Sequence, residues 1–267
     1  EESRVFHDEV EAGYVVSTIP AAGEDLEKGA TIQFIISKGK EIKPVTVRNY
    51  VGLQLDVARA EVAAQNGIQI VAFTDHCEVD VFYKDGFDKR AERSFCEVSK
   101  AQKAFEGKIE ILRGIELAQP HYVPELAEEI VNKNDYDVII GSIHNLRGKP
   151  DFYDFKTFDG YDVEALMNEY FDELLQMLQW GNFEILAHIT YPFRYIFNLC
   201  GYVEDINKYS KKVDEILKLC AEKDKALEIN MGGLKYPINK PAPNIDTIKR
   251  LLEENNCLAY ANQKLEE

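Results

Sequence analysis

Gly67-Ile68-Gln69-Ile70-Val71-Ala72-Phe73-Thr74-Asp75-His76 is the stretch that decides how the chain is read. The apolar run of residues 68–73 has the length and β-branched content of a short buried strand. The polar Thr74-Asp75-His76 behind it reads as the turn that ends that strand. A strand that buries its body and presents Asp75 and His76 at its C-terminal end is how an α/β barrel places reactive groups. Alone, the same three residues also describe an ordinary loop, with Asp75 capping a turn and His76 exposed. What favours the barrel is that the pattern recurs.

Residues 109–112 read as a strand ended by Arg113-Gly114-Ile115-Glu116. Residues 137–144 and 183–188 read as strands ending on His144 and His188, and residues 226–230 as one running into Met231-Gly232-Gly233. A last short strand is expected over 257–260. Helical spacing or composition falls between them, at 55–65, 92–105, 123–131, 163–180, 206–223 and 245–255. Six strands alternating with helices imply right-handed βαβ units and a parallel sheet. That layout fits most of a (β/α) barrel, with a doubly wound open sheet as the alternative. No Gly-x-Gly-x-x-Gly or Gly-x-x-x-x-Gly-Lys follows a strand, which argues against a nucleotide cradle.

Four successive strands therefore end in potential metal ligands: His76, Glu116, His144 and His188. In a parallel barrel all strand C-termini face one side, so the four converge on one mouth. Two neutral imidazoles and a carboxylate leave an open coordination position, as in catalytic zinc sites and related metal centres. An ion held this way acidifies bound water and polarises a phosphoryl or acyl oxygen. Asp75 is read as carboxylate support for a ligand, or as a base. Cys77, beside His76, has no base partner in view and reads as a buried bystander. His121 reads as a loop residue, on the substrate side or merely exposed.

The 267 residues carry 47 acidic against 31 basic side chains, a formal net charge of -16. Such a surface repels nucleic acid and anionic membranes, and neither is expected as a partner. A phosphorylated small substrate stays open, because local cations can reverse the field inside a cleft. Arg147, Arg194 and Lys235, each shortly past a strand end, are the candidates, on loops of the active face. The aromatic residues 152–155 and 191–195 either wall a pocket or pack the core. Five cysteines with no Cys-x-x-Cys pair point to free thiols and a reducing, cytoplasmic setting. No apolar run approaches a membrane span, and Glu1-Glu2-Ser3-Arg4 lacks the layout of a signal peptide.

Residues 9–45 have a different texture. Gly13, Pro20, Gly23, Lys28-Gly29 and Ser37-Lys38-Gly39 punctuate two strand-like runs, over 13–23 and 31–39. This stretch resembles a PASTA domain, the small β-rich module of penicillin-binding proteins and their kinases. The resemblance fades into residues 45–65, where Asn49-Tyr50-Val51-Gly52-Leu53 precedes a helix. Two domains are expected, residues 1–45 and 46–267.

Residues 67–248 resemble a PHP-domain phosphoesterase of the histidinol-phosphatase type. The resemblance is carried by Phe73-Thr74-Asp75-His76, Gly114-Ile115-Glu116-Leu117, Gly141-Ser142-Ile143-His144, Leu186-Ala187-His188 and Leu227-Glu228-Ile229-Asn230-Met231. It implies a distorted TIM-like barrel, seven-stranded in the family, with one to three divalent ions (zinc, manganese or iron) at the strand C-termini. It also implies hydrolysis of phosphomonoesters such as L-histidinol phosphate. Glu116, His144 and His188 would hold one ion, Glu116 would bridge to a second, and His76 would serve a third. Two departures stand out. The family's opening His-x-His occurs nowhere in this chain, and its closing Asp-x-His is replaced by Ala261-Asn262-Gln263. The first and last strands are thus expected to be atypical, and activity to be impaired. The alternative function is an inactive barrel fused to a PASTA-like binding module. A metal-dependent amidohydrolase is disfavoured, since that family too relies on an early His-x-His.

Overall fold

The computed structural model describes residues 2–25, 27–39, 55–243 and 259–261. The helix expected at 245–255, residues 45–54, Cys257 and Asn262-Gln263 lie outside them. The chain divides into two compact units, residues 1–51 and 52–267.

The first unit holds a three-stranded sheet of β1 (Glu2–Val5), β2 (Val15–Ile19) and β3 (Gln33–Ser37). β3 lies in the middle, parallel to β1 and antiparallel to β2, with a register shift between Val15 and Ser17. β2 and β3 are the strands that Gly13, Pro20, Gly23 and Gly39 punctuate; β1 gave no pattern of its own. Buried Ser37 ties the loop down, donating its hydroxyl to the Val10 carbonyl at 2.5 Å.

The second unit alternates as its sequence predicts: α1 (Leu55–Gln65), β4 (Ile70–Glu78), α2 (Phe87–Ala104), β5 (Glu110–Ala118), α3 (Pro124–Lys133), β6 (Val138–Ser142), α4 (Val163–Trp180), β7 (Ile185–Leu186), α5 (Tyr191–Cys200), α6 (Ser210–Glu222), β8 (Ala226–Ile229) and β9 (Ala259–Ala261). All six strands are parallel and adjacent in sequence order, β4 to β9. A doubly wound sheet reverses its strand order at a switch point. None reverses here, so the winding is that of a barrel. Among the described residues β4 stands at one edge of the sheet and β9 at the other.

Three expectations are corrected. β4 does not stop at a Thr74-Asp75-His76 turn, and β5 does not stop at Leu112. The two pair in parallel over nine positions, from Ile70 opposite Glu110 to Glu78 opposite Ala118. A ladder of backbone hydrogen bonds holds polar residues extended where side-chain pattern alone predicts a turn. Arg194, read as a loop residue, lies with the aromatic residues 191–195 on helix α5, started by Pro192 in its first turn. Finally, residues 206–209 form a 3-10 turn ahead of α6.

The close pairing of β4, β5 and β6 needs glycine. A Cβ on Gly114 would sit 2.5 Å from Thr74 Cγ2, and one on Gly141 2.8 Å from the Phe183 ring. The largest buried cluster is built on α4, whose Leu166, Met167, Tyr170, Phe171, Leu174, Met177 and Leu178 face inward. Asp162 caps that helix by accepting from Ala165 N at 3.0 Å, and Gly181 ends it in the left-handed conformation.

Candidate metal centre

Strand register assembles the centre. His76 on β4 stands directly opposite Glu116 on β5, so both side chains leave the sheet on one face. His144 lies two residues past β6 and His188 two past β7, at the same end of the sheet. His144 and His188 each bring Nε2 to Glu116 Oε1, at 3.0 and 3.1 Å. The two Nε2 atoms are 3.4 Å apart.

These three separations fit a metal ion. Donors about 2.1 Å from zinc in tetrahedral geometry lie about 3.4 Å from one another. The charges fit as well. Burial alone would raise the Glu116 carboxyl, but hydrogen bonds from His144 and His188 hold it well below the usual carboxylate range. Burial opposes a charge on His144, yet its bonds to Glu116 and Glu78 raise the imidazole to about 10. The carboxylates beside His144 thus keep a proton on its ring where a cation would replace it.

Glu78, which the sequence reading passed over, completes a second group with His76 and His144. Its Oε1 lies 2.8 Å from His144 Nδ1 and 3.8 Å from His76 Nδ1. Burial works against its charge, but the bond from His144 and the neighbouring His76 lower it to about 2. The signal was present: Glu78 is two residues past His76, hence on the same strand face. His76 itself is 61% exposed at the rim, with Nε2 3.7 Å from Glu116 Oε2.

The other predicted residues divide. Asp75 points to the opposite face and accepts from Ser94 Oγ of α2 at 2.6 Å; it is not brought to the cluster. Cys77 is fully buried, and burial together with the Glu78 charge pushes its thiol up to about 12. His121 is not exposed: its ring is 6% accessible and bonds Glu173 of α4 at 2.5 Å. Arg147 does lie on a loop, its guanidinium 3.9 Å from the centre of the Tyr122 ring and bonded to the His121 carbonyl. Lys235 is exposed, at the end of the 3-10 turn Met231–Lys235.

Arg194 is on α5 rather than a loop. Its guanidinium is caged by Tyr191, Tyr195 and Tyr236, at 4.5, 5.1 and 5.4 Å, and its Nε is buried without a hydrogen-bond partner. Tyr191 also backs the centre, its ring 4.9 Å from that of His144 and 4.8 Å from that of His188. Its hydroxyl donates to Asp151 Oδ1 at 2.9 Å, and burial beside Asp151 pushes it well above the usual phenol range. Beneath His188, buried Glu228 accepts its backbone N–H at 2.9 Å. In the first unit, His7 Nδ1 accepts from Glu9 N and Val10 N, both at 3.1 Å.

Comparison with known proteins agrees with this architecture. A protein from Clostridium acetobutylicum named "Probable histidinol-phosphatase" is 27% identical over 61% of this chain and 62% of its own length. A histidinol-phosphatase of Lactococcus lactis is 28% identical over 63% of this chain and 62% of its own. The chain thus spans less than two thirds of the length of these two relatives. The crystal structure of histidinol phosphate phosphatase from Lactococcus lactis, complexed with zinc, L-histidinol and phosphate, superposes with a TM-score of 0.59 at 20% identity. It covers 77% of this chain and 80% of that one. The PASTA domain profile matches residues 1–38. The PHP domain profile matches residues 58–232, about two thirds of the chain, and the chain belongs to the PHP-domain family, with a PASTA domain at its N-terminus.

Proposed function

We propose that the barrel is a metal-dependent phosphomonoester hydrolase of the histidinol-phosphatase type. The observation that carries this reading is the meeting of His144 Nε2, His188 Nε2 and Glu116 Oε1 within 3.4 Å of one another at the mouth of the sheet. Glu116, His144 and His188 would hold one divalent ion, zinc being the metal named with the Lactococcus lactis enzyme. Bound there, the ion supplies a Lewis acid that acidifies water and polarises a phosphoryl oxygen.

The chain's own groups do the rest. Arg194 offers a buried, unpartnered Nε to a phosphoryl oxygen, and the three tyrosines around it fix its plane. Tyr191 packs against both imidazoles and keeps water from their inner faces. His76, exposed at the rim, would meet the leaving alcohol. Arg147 and Lys235 are the outer cations of the same face. In this division of labour residues 46–267 are the phosphatase and residues 1–45 the PASTA module.

A second reading is an inactive barrel beside a binding module. It is favoured by the absence of His-x-His, with His121 engaged by Glu173. One experiment separates the two: zinc content of the purified chain and phosphate release from L-histidinol phosphate, measured beside a His144→Ala, His188→Ala double variant. The hydrolase binds zinc and turns over, and the variant loses both. Zinc and turnover no higher than in the variant leave the inactive barrel standing.

A further inference from the structure

One fully buried side chain outside the ligand set has all its polar atoms committed to the centre. Gln119 follows β5, with 0% exposure. Its Oε1 accepts the His144 backbone N–H at 3.1 Å, and its Nε2 donates to Glu78 Oε2 at 3.0 Å. The second Nε2 hydrogen goes to Asn145 Oδ1, and Asn145 in turn donates to Asp80 Oδ2 at 3.2 Å. The orientation of the amide is forced: a backbone donor needs its oxygen, and a carboxylate needs its nitrogen.

The backbone at this point is held against preference. Gln119 has φ 51° and ψ 42°, a left-handed conformation that side chains with a Cβ rarely adopt, and Pro120 follows it. Such a conformation persists where the surroundings over-determine it, and often where a site depends on it. Glycine would sit here without strain but would carry no amide.

We propose that Gln119 and Glu78 form a positioning device for His144, and that Glu78 is not itself a metal ligand. The inference rests on the metal centre of Glu116, His144 and His188. An imidazole ring can offer a lone pair from Nε2 only when its proton sits on Nδ1. Glu78 Oε1, 2.8 Å from His144 Nδ1, is where that proton is held. Gln119 grips the other oxygen of the same carboxylate and the backbone of the same histidine, closing a ring around His144. An ion bound by His76, Glu78 and His144 would need Nδ1 and would take away the proton that sets Nε2. The two groups therefore exclude each other, and the described ligands hold one ion per chain.

The test is zinc titration of the full chain against a chromogenic chelator, which gives affinity and stoichiometry together. Three variants are compared with wild type. Gln119→Glu keeps the acceptor for His144 N–H but sets a carboxylate against Glu78. Gln119→Gly relieves the backbone and removes the amide. Glu78→Gln removes the charge. Wild type and all three are expected to bind one zinc per chain, the variants 10- to 100-fold more weakly, as for partners that orient a ligand. The cobalt-substituted visible spectrum should shift in each variant. Thermal melting of the metal-free proteins controls for folding, and Gln119→Gly is expected to melt near wild type. Wild-type affinity in Gln119→Glu or in Gln119→Gly overturns the device, as does a fall in ions per chain in Glu78→Gln. A wild-type chain that takes up no zinc overturns the metal centre, and the device with it; the wild-type arm alone tells this outcome from the others.

Discussion

At the scale of the residue, the centre is built from side chains that are each half of a pair. His144 meets Glu78, Tyr191 meets Asp151, and Glu228 meets the N–H of His188. The histidines were legible because strand ends in a parallel barrel share one side. Glu78 was within reach, two residues past His76 on one strand face, but Gln119 and Asp151 acquire meaning only through register and long-range contact. Tyr191 shows how such pairs can be separated from the ligands. Tyr191→Phe keeps the ring that backs His144 and His188 but takes the hydroxyl from Asp151, which retains only its bond from Tyr153 N. The expected result is a loss of about 1 kcal/mol in denaturant unfolding with zinc affinity unchanged. A fall in zinc affinity beyond threefold would place the hydroxyl in the centre's support instead.

At the scale of the element, the strands show where a sequence stops informing. Apolar runs located β4 and β5, but their extension to Glu78 and Ala118 is a property of the pair. Helix α5 was missed because its aromatic residues satisfy a pocket wall as well as a helix, and only Pro192 marked its start. α4 was legible throughout, its inward face being continuous. Leu174, fully buried on that face, is expected to cost about 2–5 kcal/mol when truncated to alanine, read as a lowered urea midpoint at unchanged slope. β5 and β6 are further joined by Arg113, whose Nε and backbone N–H both reach Asp137 Oδ2, at 2.9 and 2.8 Å. The bonds from Arg113 outweigh burial and lower the Asp137 carboxyl below its usual value. A carboxyl lowered in the folded state stabilises above the unfolded value of about 3.9 and ceases to do so as pH falls through the folded value. Asp137→Asn should therefore cost about 1 kcal/mol from pH 5 to 8, and the difference from wild type should shrink below about pH 4. An equal cost at pH 3 and pH 7, by urea unfolding, would remove the charge from that account.

At the scale of the whole molecule, the barrel's winding was legible because strands and helices alternate without a nucleotide motif. The departures at its ends were legible too, from the absent His-x-His and Asp-x-His. What could not be read was whether candidate ligands still meet without them, since that depends on the placement of three atoms. All three come from β5 and the loops after β6 and β7, so metal binding should act on the folded barrel as a whole. A ligand that binds only the folded state stabilises it by about 4.1 kcal/mol at a thousand times its dissociation constant. For a unit of about 200 residues each kcal/mol moves the melting temperature by about 2–4 °C. Zinc at that ratio should accordingly raise the melting temperature of the wild-type chain by about 8–16 °C, and a chelator should return it. The His144→Ala, His188→Ala variant should melt at one temperature with or without zinc. A shift of equal size in that variant would mean that zinc stabilises the molecule from somewhere other than this centre, and would remove the link between the ligands and the fold that carries them.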